Sequence, residues 1–186
     1  LFAEYSQDKI AWTQIGSSVP SAGSYPTSWT PPSAGTYYIR ARWTGTKNYV
    51  NSTSTEQALT INKASTSLQL SVSPSTAQID PLTRGGASIQ VSGNIAPELG
   101  GIVVTITYTK PDGTTTTTTL TTTSAGKFTD TLTPNQAGTW SVRASWLGNT
   151  NYLASSSSSV TVSIGENWNN YIAFVGIVVV IVVTFI

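Results

Sequence analysis

The chain has 186 residues, of which 39% are hydrophobic and only 9% charged, with a formal net charge of +1. That is enough to bury one ordinary core or two small ones, and too little scattered charge to form an electrostatic footprint for nucleic acid. Histidine and cysteine are both absent, which removes the commonest general base and metal ligand, every thiolate nucleophile and any disulfide framework. No enzyme, cofactor or metal site is expected, and no nucleic-acid partner.

The first stretch with strand alternation, AGTYYIRARWTGTKNYV from Ala34, puts Tyr37, Ile39, Ala41 and Trp43 on one face and Arg40 and Arg42 on the other. It recurs as AGTWSVRASWLGNTNYL from Ala137, an offset of 103. The same offset carries Ser21-Ala22-Gly23 onto Ser124-Ala125-Gly126, Thr30-Pro31 onto Thr133-Pro134 and Tyr5 onto Tyr108. Two copies of one module are therefore predicted. The second is complete at roughly 100 residues, a normal size for a β-sandwich. Mapped back by the same offset, its opening strands fall before Leu1. The first copy, residues 1–62, is thus expected to lack its first strands, because the chain is a fragment or because a partner donates them.

The connector NKAST opens the second copy, residues 63–164. Leu68, Leu70 and Val72 share one face, and Ile89 and Val91 repeat the pattern. Ile102, Val104, Ile106 and Tyr108 follow, then a Pro111-Asp112-Gly113 turn leading into a threonine-rich strand near 114–122. Runs near 127–132, 138–146 and 157–164 bring the total to about seven strands. So many short alternating strands predict an all-β fold, two antiparallel sheets packed face to face.

The run W-S-V-R-A-S-W-L-G-x-x-x-Y from Trp140, following T-P-x-x-A-G, and the hairpin I-T-Y-T-x-P-D-G from Ile106, resemble the immunoglobulin-like repeats of archaeal and bacterial surface proteins. The resemblance covers most of 65–164 and the first copy. It implies tandem immunoglobulin-like sandwiches that serve as spacers or in adhesion, held together by packing without the cysteine pair of antibody domains.

After GENWNN, residues 165–170 and read as a juxtamembrane linker, the segment 171–186 has no charged residue. As a helix rising 1.5 Å per residue it spans about 24 Å, and counting from Trp168 brings it near the ~30 Å hydrocarbon layer. Its valines and isoleucines would suit a strand in water, but lipid offers no partner for an open strand edge, so a transmembrane helix is expected. Trp168 and Tyr171 are placed at the membrane interface, and the repeats outside the cell.

Parity assigns Trp43, Trp140, Trp146 and Tyr108 to core packing rather than to sugar stacking. Trp12 and Trp29 are left unassigned, since the loss of the first copy's early strands would uncover them if those strands normally pack there. Asn51-Ser52-Thr53 is an N-glycosylation sequon. Asp80, Asp112 and Asp130 are too dispersed in sequence for a calcium cage. The reading is a membrane-anchored cell-surface stalk, touching the bilayer through 171–186 and neighbouring surface proteins or glycans through its repeats. The alternatives are an adhesin or carbohydrate-binding module, and a filament or surface-layer subunit assembled by strand donation or tail packing.

Overall fold

The computed structural model describes residues 1–17, 24–169 and 171. They divide into two compact units, one of residues 1–64 with 148–153, the other of residues 65–147 and the described residues from 154 onward. Both are built of strands.

In the first unit, β1 (Phe2–Ser6), β2 (Thr13–Ser17), β3 (Gly35–Trp43), β4 (Ser52–Thr53) and β5 (Gln57–Ile61) form a single antiparallel sheet. Its order is β2-β1-β3, and β3 is paired along one half by β5 and along the other by β4.

The second unit begins with β6 (Ser67–Ser73), β7 (Thr76–Ile79), β8 (Ile89–Ala96), β9 (Val103–Thr109) and β10 (Thr115–Thr121). It continues through β11 (Lys127–Leu132), β12 (Gly138–Trp146), β13 (Ser155–Ser156) and β14 (Val160–Glu166). Six strands make one sheet, β10-β9-β12-β14-β7 with β13 also on β12, and β11-β8-β6 make the other. The two inner faces close a β-sandwich. Leu68, Ile89, Val91, Ile95 and Phe128 from the smaller sheet meet Val104, Ile106, Val142, Ala144 and Val162 from the larger one, and all are buried. Each large side chain removed from water in this way contributes about 1.5–3 kcal/mol before entropy is counted. Along β12 burial alternates strictly, with Trp140, Val142, Ala144 and Trp146 inside.

The offset of 103 holds strand by strand. It carries β3 onto β12 and β4 onto β13 at both ends, and β1, β2 and β5 onto β9, β10 and β14 with the same pairings. Local bonds repeat as well. Where β3 exchanges β5 for β4, the Ala41 N–H donates to Ser54 Oγ (2.9 Å), and Ser54 N–H donates to the Ala41 carbonyl (2.9 Å). Ala144 and Ser157 repeat both bonds at 3.0 and 2.9 Å. The repeated glycines Gly45 and Gly148 have φ of 82° and 77°, in the left-handed region. A Cβ on Gly45 would lie 2.6 Å from the Tyr49 carbonyl oxygen.

Several elements depart from the alternation-based reading. The final strand is two pieces, because buried Ser157 turns its hydroxyl into the ladder between β13 and β14. β14 runs on to Glu166, into the stretch read as linker, and pairs there in parallel with the short β7. The Pro111–Gly113 turn is closed by Lys110 and Thr114, with Asp112 Oδ1 accepting from the Thr114 N–H and hydroxyl. Among the described residues no helix is long and apolar enough to cross a membrane. The transmembrane helix expected over 171–186 lies, Tyr171 apart, outside the described residues.

Candidate functional site

The side chains with the most binding potential are the aromatics, and the second unit turns its own inward. Trp140 is 2% exposed and Trp146 7%. The Trp140 Nε1–H donates to the Gln136 carbonyl at 2.9 Å. Tyr108 is buried and donates its hydroxyl to Asp130 Oδ2 at 2.7 Å. Desolvation, reinforced by that carboxylate, holds the Tyr108 phenol well above its usual pKa.

Of the counterparts in the first unit, Tyr5 and Trp43 are less covered and Tyr37 is not. Tyr37, at the Trp140 position, is fully buried and gives its hydroxyl hydrogen to the Ser33 carbonyl (2.7 Å), as Trp140 does to Gln136. Trp29 stacks on Tyr5 with centroids 4.5 Å apart and meets Tyr37 edge-on at 5.1 Å. Trp29 is thus half-buried. Trp43, expected in a core, is only half-buried and leans on exposed Tyr49 at 6.3 Å. The reason is architectural: no second sheet lies over the first unit's sheet among the described residues.

The outer face of that sheet holds a charged cluster that alternation alone did not reveal. Glu4, 6% exposed, accepts from Arg40 Nε (3.0 Å) and Arg42 Nε (2.9 Å). The Arg40 guanidinium lies 3.7 Å from the Trp12 ring centroid, so Trp12 is covered by a cation. The readable signal was register: Glu4 stands opposite Arg40 across β1 and β3. In the second unit Thr107 replaces Glu4 at the offset of 103, and exposed Arg143 faces that threonine instead of a carboxylate across β9 and β12. It lines a groove of about 490 Å³ with Thr107, Ser141, Ser145 and Ser159.

Asn51 is exposed in the loop before β4, accessible for glycosylation. The three aspartates stay apart. Asp80 Oδ1 accepts from the Leu82 and Thr83 N–H groups, and the Thr83 bond is the largest influence holding its carboxyl below the ordinary value. Asp112 serves its turn, and Asp130 holds Tyr108. Among the described residues no three acidic groups gather as a metal site. The threonine run forms β10, an exposed edge strand paired only with β9.

Of the two residues assigned to a membrane interface, Trp168 is 49% exposed and packs edge-on against Tyr171. Tyr171 donates its hydroxyl to Asp80 Oδ2 (2.9 Å), so the chain leaving β14 is fastened back to the 80–84 loop. Arg84 and Glu166 form an ion pair in the same place.

No family model matches the sequence, and no curated protein sequence matches it. Among solved structures, a tetra-tandem repeat in the extending region of a large adhesion protein aligns with 88% of this chain at 18% identity and a TM-score of 0.46, using 41% of its own length. A second, described as structural insight into host cell-surface retention of a 1.5-MDa bacterial ice-binding adhesin, aligns with 89% of this chain at 12% identity and a TM-score of 0.43, using 53% of its length. The chain spans between two-fifths and about half of those structures.

Proposed function

We propose that the chain is a non-catalytic spacer of a prokaryotic cell-surface protein, made of tandem immunoglobulin-like modules outside the cell with 171–186 as membrane anchor. One observation carries this reading: what repeats at the offset of 103 is scaffold. The repeated features are strand ends, ladder serines, turn glycines and inward aromatics, all of which serve folding. The outer faces have largely diverged, Glu4 to Thr107 and Arg42 to Ser145, with Arg40 kept as Arg143 but without a carboxylate at its partner position, as suits modules selected for shape rather than for a shared ligand. The sparse charge and abundant hydroxyls hydrate the surface without committing it to a charged partner.

Stretching the full chain between its ends tests the role. The second unit is expected to give way in one event that releases roughly 340 Å of contour, about 100 residues at ~3.4 Å each. The anchor is tested by vesicle flotation of the full chain against a form ending at 170, only the former floating. Glycan titration is expected to show no saturable binding. The competing carbohydrate-binding reading has a place to reside, the groove around Arg143. A micromolar Kd that Arg143→Gln abolishes would replace the spacer role with recognition.

A further inference from the structure

The inner faces of the two equivalent sheets differ in what covers them. In the second unit β6, β8 and β11 lie over β9, β12 and β14, and Val104, Ile106, Val142 and Val162 are fully buried. In the first unit the stretch equivalent to β11 is present without forming a strand. Trp29 falls on Leu132 at the offset of 103, and it packs onto Tyr5 and Tyr37. The counterparts of β6 and β8 do not exist among the described residues. Beyond Trp29 the face stays open: Leu59, in the place of Val162, is 39% exposed, while Ile39, Ala41, Trp43 and Ile61 are half-buried. The open part carries no charged side chain. Such a continuous apolar sheet surface in water calls for a cover.

We infer that the inner face of the first unit's sheet is a docking surface for two antiparallel strands patterned like β6 and β8, carried on polypeptide joined to Leu1. Three features specify this occupant. Trp29, on a stretch that is not a strand, already packs over Tyr5 and Tyr37 where β11 would lie, so the remaining slot is two strands wide, about 10 Å. The whole sheet of a second copy does not fit beside it. The pattern required is the one β6 and β8 display, with Leu68, Ile89, Val91 and Ile95 pointing at the larger sheet and polar residues between them. The connection is short: β8 enters β9 through only Pro97–Ile102, so a cover continuous with β1 reaches its slot by one tight loop. Leu1, directly ahead of β1, is already half-buried. This inference is independent of the spacer reading, since it concerns how the module is completed and not what the module is for.

The test adds a copy of residues 65–103 directly ahead of Leu1 in the full chain, which restores the register. Amide exchange is read in β1, β3 and β5, with β9, β12 and β14 as an internal folded reference. The extension is expected to slow exchange in the first unit at least tenfold and to reduce binding of a hydrophobic dye several-fold. The same extension with Leu68, Ile89, Val91 and Ile95 changed to serine in the added copy does neither. In the unextended chain, Leu59→Asp alone lowers dye binding. The inference is overturned if the unextended sheet already exchanges as slowly as the reference, or if the extension leaves it unprotected. It is overturned equally if the unextended chain is a dimer that Leu59→Asp dissolves, or if the free 65–103 peptide protects as well as the fused one, which would move the source to another chain.

Discussion

The five strands of the first unit's sheet have the order of their equivalents in the larger sheet of the second, which adds β7, with the same ladder serines and left-handed glycines at the same turns. They differ in cover, and the difference shows which part of the module each layer makes. The pairings and turn chemistry of the five shared strands are alike in both, while among the described residues nothing pairs with the edge of β5 as β7 pairs with β14. The dry interior belongs only to the sandwich: Trp146 is 7% exposed, while Trp43, its equivalent, leans on a surface tyrosine. One sheet specifies the backbone, and the second turns its apolar face into a core. The side chains of the first unit are chosen for a core they do not fully have.

The largest expected effect that separates the units is truncation of these indoles. Trp146→Ala is expected to cost the second unit about 3–5 kcal/mol, whereas Trp43→Ala should cost the first about 1 kcal/mol, since its ring leaves less water on folding. Unit-resolved amide exchange under denaturant measures both, and equal costs would break the comparison. Next comes a feature of the cover itself. A Cβ on Gly93 would sit 2.3 Å from Phe128 Cζ and 2.5 Å from the Gln69 carbonyl oxygen. Gly93→Ala should therefore destabilise the second unit by about 1–3 kcal/mol while leaving the exchange of β1 and β3 unchanged.

A subtler pair is Ser157→Ala and Ser54→Ala. The first strands a buried Ala144 N–H and should cost about 1–3 kcal/mol; at the second, water can replace the hydroxyl, and the loss should stay below about 1 kcal/mol. Denaturant midpoints of the two units check this. The smallest effect is alkaline. Tyr108 holds its proton more tightly folded than unfolded, so stability is intact below the unfolded phenol value of about 10 and declines as pH rises above it. A midpoint titration from neutral pH to pH 11 should show the fall in the second unit, and Tyr108→Phe should flatten it.

Much of this architecture was legible in sequence because the repeat supplied a second reading of each position. The alternation at Trp140, Val142, Ala144 and Trp146 fixed a face, and Pro111-Asp112-Gly113 fixed a turn. Less legible were elements whose residues make weak local signals. β7, Thr-Ala-Gln-Ile between two prolines, exists through its pairing with β14. The Ser157 break hides in a run of serines, because only tertiary structure tells a ladder-bonding hydroxyl from a solvated one. Glu4 escaped for a related reason: its partners lie 36 and 38 residues on, joined only by β1–β3 register. The half-burial of Trp43 is not legible from parity, which reports which face a side chain takes and says nothing of what covers that face.

The parallel pairing of β7 with β14 has a mechanical consequence. β7 lies near the start of the second unit and β14 is the last of its strands among the described residues, with Ser163 to Glu166 in register with Thr76 to Ile79 and the Asn167 N–H bonded beyond them to the Ile79 carbonyl. A pull on the two ends of the unit drags these neighbouring strands lengthwise past each other. The rungs between them are then loaded together in shear instead of peeling one at a time, and the ties from Tyr171 to Asp80 and from Glu166 to Arg84 share that load.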